Sequence, residues 1–278
     1  MVSFKAFYSI SLYNKVKQKL NKENTMWIDS HCHLQHCFRD KNKILEEINN
    51  IADELLYFVD VSTNTVEFLN ISKLNLPSNL LLALGLYPEV ASSYTERDIK
   101  NLKNFIMEGK VKAIGEIGLD FYHNYGSLIQ QERLFREQLE IAIEFNLPII
   151  VHSRNAFKDT YRILSSYKFN NPLILHCFSY SEEEARAFIE KGFYFSFSGN
   201  ITYPNAIGIQ KAALSIPAER ILFETDSPYL TPVPKRGQKN NPLNVKWVYK
   251  FFSELKEEKL EDLQEQVTKN FKRIFFKE

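Results

Sequence analysis

Short apolar runs alternate with amphipathic segments eight times along the chain, and this alternation constrains the fold more than any other feature. The apolar runs are nearly continuous, as in strands buried on both faces, and the segments between them carry apolar residues at helical spacing. Such alternation predicts parallel strands joined by helical crossovers. The predicted strands lie within Trp27–Leu34, Leu55–Val61, Leu80–Leu86, Val111–Leu119, Ile149–His152, Leu173–His176, Phe193–Phe197 and Ile221–Glu224.

Eight strand–helix units predict an α/β protein with a closed (β/α)8 TIM barrel, which carries its active site at the C-terminal ends of the strands. The length of 278 residues suits one such barrel, which typically takes ~250 residues. We therefore expect residues 26–278 to form a single domain. A doubly wound open sheet is the alternative, but the first predicted strand is not followed by the Gly-x-Gly-x-x-Gly pattern of that fold.

The composition indicates a globular protein of the cytoplasm. Hydrophobic residues make up 44% of the chain and charged residues 25%, which is ordinary for a chain that builds a core. No apolar run approaches the ~18 residues of a membrane span, and three cysteines are too few for a disulfide framework. A net charge of +1 argues against a broad basic surface for nucleic acid but not against a local one. Nothing in the sequence indicates an obligate protein partner.

The first 25 residues differ from the rest, with five lysines against one glutamate and apolar residues at roughly helical spacing. An amphipathic basic helix or a transit peptide would have this pattern, although arginine is absent and a secretory signal would need a continuous apolar core. We interpret residues 1–25 as a basic N-terminal extension, or as the result of a start codon placed upstream of a native Met26.

Histidine and acidic side chains recur at the ends of the predicted strands. Two histidines alternate on the first strand, so both imidazoles point in one direction. Four of the six histidines in the chain occupy strand ends, together with one glutamate and one aspartate. Because the C-terminal ends of barrel strands meet at one rim, all six are candidate metal ligands. They are His31, His33, Glu116, His152, His176 and Asp226.

Four imidazoles and two carboxylates are more than one tetrahedral ion requires, and they suit two divalent ions that share a bridging ligand. Glu116, on the middle strand of the set, is the candidate bridge because a carboxylate can bind with both oxygens. Metal binding lowers the pKa of water, so a water at such a centre becomes a nucleophile near neutral pH. Asp226 could ligate one ion and accept the proton of that water. The mixed ligands leave Mg²⁺, Mn²⁺ and Zn²⁺ open.

Five segments resemble, in order, the signature motifs of TatD-type metal-dependent deoxyribonucleases. They are Asp29–Leu34, Gly115–Tyr122, Val151–Arg154, His176–Ser179 and Glu224–Leu230. The resemblance spans about Met26 to the C-terminus. It implies a TIM-barrel hydrolase of the amidohydrolase-like superfamily that cleaves DNA phosphodiester bonds, with 3′-to-5′ exonuclease behaviour.

The resemblance also implies how the ligands divide between two ions. One ion would lie among His31, His33, Glu116 and Asp226, and the second among Glu116, His152 and His176. The turn Gly85-Leu86-Tyr87-Pro88 departs from the family, which usually has histidine where this chain has Tyr87. We expect that position to contact substrate phosphate, so the change bears on substrate preference or rate more than on metal binding.

A nuclease must hold phosphate beside its metals, and forked guanidinium groups suit this task. Arg154, two residues after His152, is the first candidate, and Arg236 lies in a basic loop after the last strand. The aromatic residues at 121, 122 and 125 could stack on a base or pack at the rim. Cys32 and Cys177 adjoin predicted ligands but alternate with them along their strands, so we expect both to face away and pack.

Three other functions use part of the same pattern. A lactonase or amidase of the same superfamily often bridges its ions through a carbamylated lysine on the fourth strand, where this chain has Glu116 and only Lys112 upstream. A deacylase of D-aminoacyl-tRNA would carry nearly the same motifs, so it stays open. A non-catalytic binding protein is disfavoured because all six candidate ligands are present.

Overall fold

Eight parallel strands pair in chain order to form the wall of a barrel. The computed structural model describes residues 27–38, 40 and 43–278, so the predicted extension at 1–25 lies outside the described residues. Each strand pairs with the one that follows it in the sequence. The strands are β1 (Ile28–Cys32), β2 (Tyr57–Ser62), β3 (Leu80–Leu84), β4 (Ala113–Asp120), β5 (Ile149–Arg154), β6 (Leu173–Leu175), β7 (Tyr194–Phe197) and β8 (Ile221–Phe223).

Ten α-helices in the described part of the chain connect or follow the strands. Ser127 and Ser181 each begin a helix with a capping box, which satisfies backbone N–H groups that the first turn leaves free. None of the described helices is long and apolar enough to cross a membrane. The helices are α1 (Leu34–Cys37), α2 (Ile44–Ala52), α3 (Thr65–Ile71), α4 (Glu96–Met107), α5 (Leu128–Glu144), α6 (Phe157–Ser165), α7 (Glu182–Ile189), α8 (Ile207–Ser215), α9 (Val245–Lys256) and α10 (Leu260–Phe275).

The first and last strands meet through the loop that follows β8. The backbone N–H of Asp226 donates to the carbonyl of His31 at 2.9 Å, and that of His33 donates to the carbonyl of Ser227 at 2.8 Å. These bonds join β1 to the end of β8, so the predicted TIM barrel is confirmed and the open sheet is excluded. They also fix the backbone of Asp226 beside the two histidines of β1.

Apolar side chains from the strands fill the barrel and the layer beneath the helices. Every residue of β1, β3, β4, β6, β7 and β8 is buried, which explains the nearly continuous apolar runs of β3, β6, β7 and β8. On β8, the Phe223 ring lies 4.4 Å from that of Tyr249 and 4.8 Å from that of Phe252, both on α9. Each such buried ring stabilises the fold by about 1.5–3 kcal/mol. This packing holds β8 in place.

Strands β4 and β5 approach closely at Gly118. The register of the pair shifts between Ile114 and Ile117, and Gly118 follows with a φ of 149°. A Cβ atom at this position would lie 1.9 Å from the carbonyl oxygen of His152. Only glycine permits this conformation and this approach. Gly118 therefore brings the strand that carries Glu116 against the strand that carries His152.

Candidate metal centre

The six predicted ligands converge at one end of the barrel, although one of them lies deeper in its strand than expected. His33 and His176 directly follow β1 and β6, and Asp226 lies three residues beyond β8. Glu116 instead lies in the middle of β4, four residues before its end. The expectation that every ligand ends a strand is therefore wrong for Glu116. The reason is that β4 continues past the site in its shifted pairing with β5.

Glu116 presents its two oxygens to two different sets of histidines. Oε1 lies 2.6 Å from Nδ1 of His152 and 2.9 Å from Nε2 of His176. Oε2 lies 3.5 Å from Nε2 of His31 and 3.8 Å from Nε2 of His33. The side chain is almost fully buried. One carboxylate thus faces ligand atoms on both of its sides.

Asp226 completes the side of the centre formed by β1. Its Oδ1 atom lies 3.3 Å from Nε2 of His33 and 3.9 Å from Nε2 of His31, and the two histidine nitrogens are 3.2 Å apart. His31, His33 and Asp226 form one group whose ligand atoms lie within 4.8 Å of one another, and His31, Glu116 and His176 form another. His31 belongs to both groups because its ring stacks on that of His176 at 4.0 Å.

Three of the histidines are held by their second ring nitrogen. Nδ1 of His33 donates to the carbonyl of Val61 at 2.7 Å, and Nδ1 of His176 donates to Oε1 of Glu224 at 3.0 Å. Nε2 of His152 lies 3.1 Å from Oδ2 of Asp120. In metal sites such contacts fix the tautomer and orient the opposite nitrogen toward the ion.

The remaining histidine has a nitrogen without a partner. Nδ1 of His31 is buried and makes no hydrogen bond to any described residue, while its Nε2 faces Glu116. Imidazole nitrogens and carboxylate oxygens are ligand atoms that divalent transition metals bind in proteins. The residues present therefore fit divalent cations.

Charge in the centre also favours cations. Burial opposes ionisation of Glu116, but His176 and His152 outweigh it and hold the pKa of this carboxyl well below its ordinary value. Burial likewise opposes a charge on His33, yet the Asp226 carboxylate raises the pKa of His33 to about 9. Protons on the imidazoles balance these carboxylates, and a divalent cation would take the place of those protons.

Every predicted ligand except His31 borders a cavity of about 610 Å³, within the range of about 300–1,000 Å³ typical of ligand sites. Tyr87 and Arg154, both predicted to contact substrate, line this cavity. Arg236 is not among the described residues that line it, and its guanidinium lies 4.1 Å from the centroid of the Tyr203 ring. The structure thus brings two of the three predicted contacts to the metal centre.

A family model described as TatD related DNase matches residues 28–276 of this chain. The chain belongs to the TatD-related DNase family. This confirms the resemblance found in the sequence.

Similar proteins support the same assignment. YcfH of Escherichia coli (strain K12), described as an uncharacterized metal-dependent hydrolase, is 34% identical over 255 residues, which cover 89% of this chain and 95% of YcfH. YabD of Bacillus subtilis (strain 168), with the same description, is 41% identical over 194 residues, 69% of this chain and 76% of YabD. The crystal structure of YJJV, a TatD homologue from Escherichia coli K12, superposes with a TM-score of 0.84 at 27% identity, covering 91% of this chain and 98% of YJJV. The chain is a metal-dependent hydrolase.

Two further acids hold ligands of this TatD-family centre, and the sequence analysis did not single them out. Asp120 accepts from His152, and its Oδ2 atom also accepts from the hydroxyl of Tyr87 at 3.2 Å. Glu224 accepts from His176 and from the hydroxyl of Ser196. Asp120 ends β4 and Glu224 directly follows β8. Both acids therefore lie at C-terminal strand ends, the position by which the ligands were predicted from the sequence.

The wall of the cavity also differs from expectation at Cys177, which was predicted to face away. This residue lines the cavity, and its Sγ atom lies 3.1 Å from Oγ of Ser198. Alternation holds only within a strand, and β6 ends at Leu175, after which Cys177 takes a left-handed φ of 46°. Cys32 does face away, with its thiol directed at the carbonyl of Val59.

Another buried acid fixes the loop that carries Asp226. Asp29 accepts hydrogen bonds from the backbone N–H of Thr225 at 2.8 Å and from its hydroxyl at 2.6 Å. Burial raises the pKa of this carboxyl well above its ordinary value, although the bonds from Thr225 oppose the effect. Asp29 therefore ties β1 to the residue next to Asp226.

Proposed function

We propose that this TatD-family hydrolase is a deoxyribonuclease that cleaves DNA phosphodiester bonds, from 3′ ends, at a binuclear metal centre. The observation that carries the proposal is the two-sided position of Glu116, whose oxygens face separate sets of histidines. Residues 26–278 would form the catalytic domain. Three free thiols fit a reducing compartment such as the cytoplasm.

The ligands would divide between two ions of Mg²⁺, Mn²⁺ or Zn²⁺. One ion would be held by His31, His33, Glu116 and Asp226, and the other by Glu116, His152 and His176. Bound ions would lower the pKa of a coordinated water and withdraw charge from the phosphate under attack. Glu116, which is almost fully buried, would contribute both of its oxygens to holding the ions.

Asp226 is the group in this set that is best placed to accept the proton of the attacking water. Both carboxylates line the cavity, and the Asp226 side chain is the more accessible, at 15% exposed against 4% for Glu116. Burial opposes its ionisation, but His33 and His176 lower the pKa of the Asp226 carboxyl below its ordinary value. It is therefore ionised and able to take a proton at neutral pH.

The cavity favours an anionic ester. Arg154 lines it with its guanidinium stacked on the Tyr122 ring, which leaves the N–H groups at the guanidinium edge to bind phosphate. Tyr87 offers a hydroxyl near His152, at 3.2 Å from Nε2. A carbamate bridge, as in some lactonases, has no support because Lys112 precedes β4 and its ammonium binds the carbonyl of Gly109. Arg236 would contact DNA outside the cavity.

The test is digestion of end-labelled single-stranded and duplex DNA with added Mg²⁺, Mn²⁺ or Zn²⁺. We expect stepwise shortening from the 3′ end, and loss of cleavage in chelator-treated protein and in Asp226→Asn. Asp159→Asn on α6, which removes a surface carboxylate paired with Arg162, is the matched control and should retain activity. Cleavage that survives both chelation and Asp226→Asn would sink the assigned site. Deacylation of D-aminoacyl-tRNA without DNA cleavage would replace the nuclease proposal with its rival.

A further inference from the structure

Aromatic side chains occupy the loop after β4, next to residues that line the cavity. Tyr122 is 62% exposed and Phe121 is 38% exposed, whereas most large aromatic side chains among the described residues are buried or half-buried. His123 and Tyr125 follow and line the cavity. Exposed aromatic surface beside a cavity is typical of a binding site. We call Tyr122, His123 and Tyr125 the aromatic wall.

The aromatic wall is held rigidly by Asp120. Oδ1 of Asp120 accepts from the backbone N–H groups of Tyr122 and His123, each at 2.8 Å, and Oδ2 accepts from Nδ1 of His123 at 2.9 Å. The His123 ring then stacks on Tyr125 at 4.9 Å and 27°, and meets Tyr122 edge-on at 4.9 Å. Because Asp120 also holds His152, one carboxylate positions both the metal centre and the aromatic wall.

A cationic side chain lies against this wall. Arg154 is paired with Asp120 across β4 and β5, and the backbone N–H of Phe121 donates to its carbonyl at 2.9 Å. Its guanidinium carbon lies 4.1 Å from the centroid of the Tyr122 ring. Stacked guanidinium and aromatic planes leave the edge of the guanidinium, with its N–H donors, open to a phosphate.

We propose that Tyr122, Tyr125 and Arg154 form a subsite for one unpaired nucleotide next to the scissile bond, an inference that rests on the proposed nuclease function. Its base stacks on the aromatic wall, and Arg154 binds its phosphate. His123 is a positioning residue that fixes the two tyrosine rings. A base inside a duplex is covered on both faces by its neighbours, so this subsite selects single-stranded ends.

The experiment compares two phosphodiesters on the metal-loaded protein. Methyl p-nitrophenyl phosphate has no flanking nucleotide, whereas fluorescein-labelled pentathymidylate does. For Tyr122→Ala we expect kcat/KM on the oligonucleotide to fall about 5- to 150-fold more than on the small ester, mainly through KM, the equivalent of about 1–3 kcal/mol of stacking. Tyr122→Phe keeps the ring and should restore the oligonucleotide KM. Tyr167→Ala is the matched control and should change neither reaction. It removes another tyrosine whose ring lies beneath an arginine, with the guanidinium carbon of Arg136 5.7 Å from the ring centroid.

The outcomes separate the subsite from the nuclease proposal. Equal losses on both substrates, or an unchanged oligonucleotide KM in Tyr122→Ala, would overturn the subsite while DNA cleavage by the wild type stands. If the wild type hydrolyses the small ester but neither cleaves nor binds pentathymidylate, by fluorescence anisotropy, both proposals fail. If it binds the oligonucleotide without cleaving it, weaker binding by Tyr122→Ala supports the subsite and equal binding refutes it.

Discussion

Replacing Glu224 with glutamine removes a negative charge that lies 3.0 Å from the Nδ1 atom of His176. Glu224 is fully buried, and glutamine has nearly the same shape as glutamate, so the substitution changes charge more than packing. Burial lowers the pKa of His176, but the Glu116 and Glu224 carboxylates outweigh it and hold that pKa well above its ordinary value. Loss of the Glu224 charge should therefore make His176 a weaker metal ligand.

The size of the effect follows from the lost charge on one hydrogen bond. A hydrogen bond to a charged group contributes about 1.5–3 kcal/mol and a neutral one about 0.5–1.5 kcal/mol, so the difference is about 1–1.5 kcal/mol. This corresponds to about a 5- to 12-fold loss of metal affinity. Mutation of a residue that hydrogen-bonds a metal-binding histidine typically lowers metal affinity or activity 10- to 100-fold, which overlaps the upper part of this range.

The assay is isothermal titration of chelator-stripped protein with Mn²⁺ or Zn²⁺, and Glu67→Gln is the matched control. Oε1 of Glu67 lies 3.1 Å from Nε2 of His36, a histidine outside the proposed ligand set. Glu67→Gln should leave metal affinity unchanged. Equal weakening by both variants, or no weakening by Glu224→Gln, would refute the reasoning that His176 binds metal through a nitrogen supported by Glu224.

Three further outcomes are expected. Gly118→Ala should lower the free energy of unfolding by about 2–6 kcal/mol, because the costs of overpacking and of a positive φ add. A Cβ at this position would lie 1.9 Å from the carbonyl oxygen of His152. Chemical denaturation measures the effect, and Gly208→Ala is the control because its added Cβ would meet no atom within 4 Å. Metal affinity should rise from about pH 7 to about pH 9. Burial lowers the pKa of His33, but Asp226 outweighs it and raises this pKa to about 9 in the ion-free protein, so the proton of His33 must leave before a cation binds. Metal titrations that give the same affinity across this pH range would contradict the prediction. Metal at 100 times its Kd should stabilise the fold by about 2.7 kcal/mol and raise Tm by about 5–10 °C. Thermal unfolding with and without chelator measures this shift, and an equal Tm in both would argue against metal binding by the folded state.

Sequence periodicity predicted the barrel because buried parallel strands leave a strong local signal. Each observed strand lies within about two residues of its prediction, and four histidines are brought to one rim simply because parallel strands end on the same side. The family motifs sharpened this prediction further. Neither argument required knowledge of which side chains touch.

Features that depend on contacts between distant strands were beyond reach of the sequence. The depth of Glu116 follows from the shifted pairing of β4 with β5, and local sequence does not encode a pairing register. Cys177 entered the cavity because its backbone turns left-handed once β6 has ended. Asp120 and Glu224 lie at strand ends as the ligands do, but only the structure shows that they contact the second ring nitrogens of His152 and His176.

In the proposed binuclear centre, one buried carboxylate, Glu116, joins two metal ions. The most direct measurement is anomalous X-ray scattering from crystals of the protein loaded with Mn²⁺ or Zn²⁺. We expect two peaks per chain, roughly 3.5–4 Å apart, one on each side of Glu116 with Oε1 and Oε2 as ligands. A single peak, or two peaks that do not share Glu116, would contradict it.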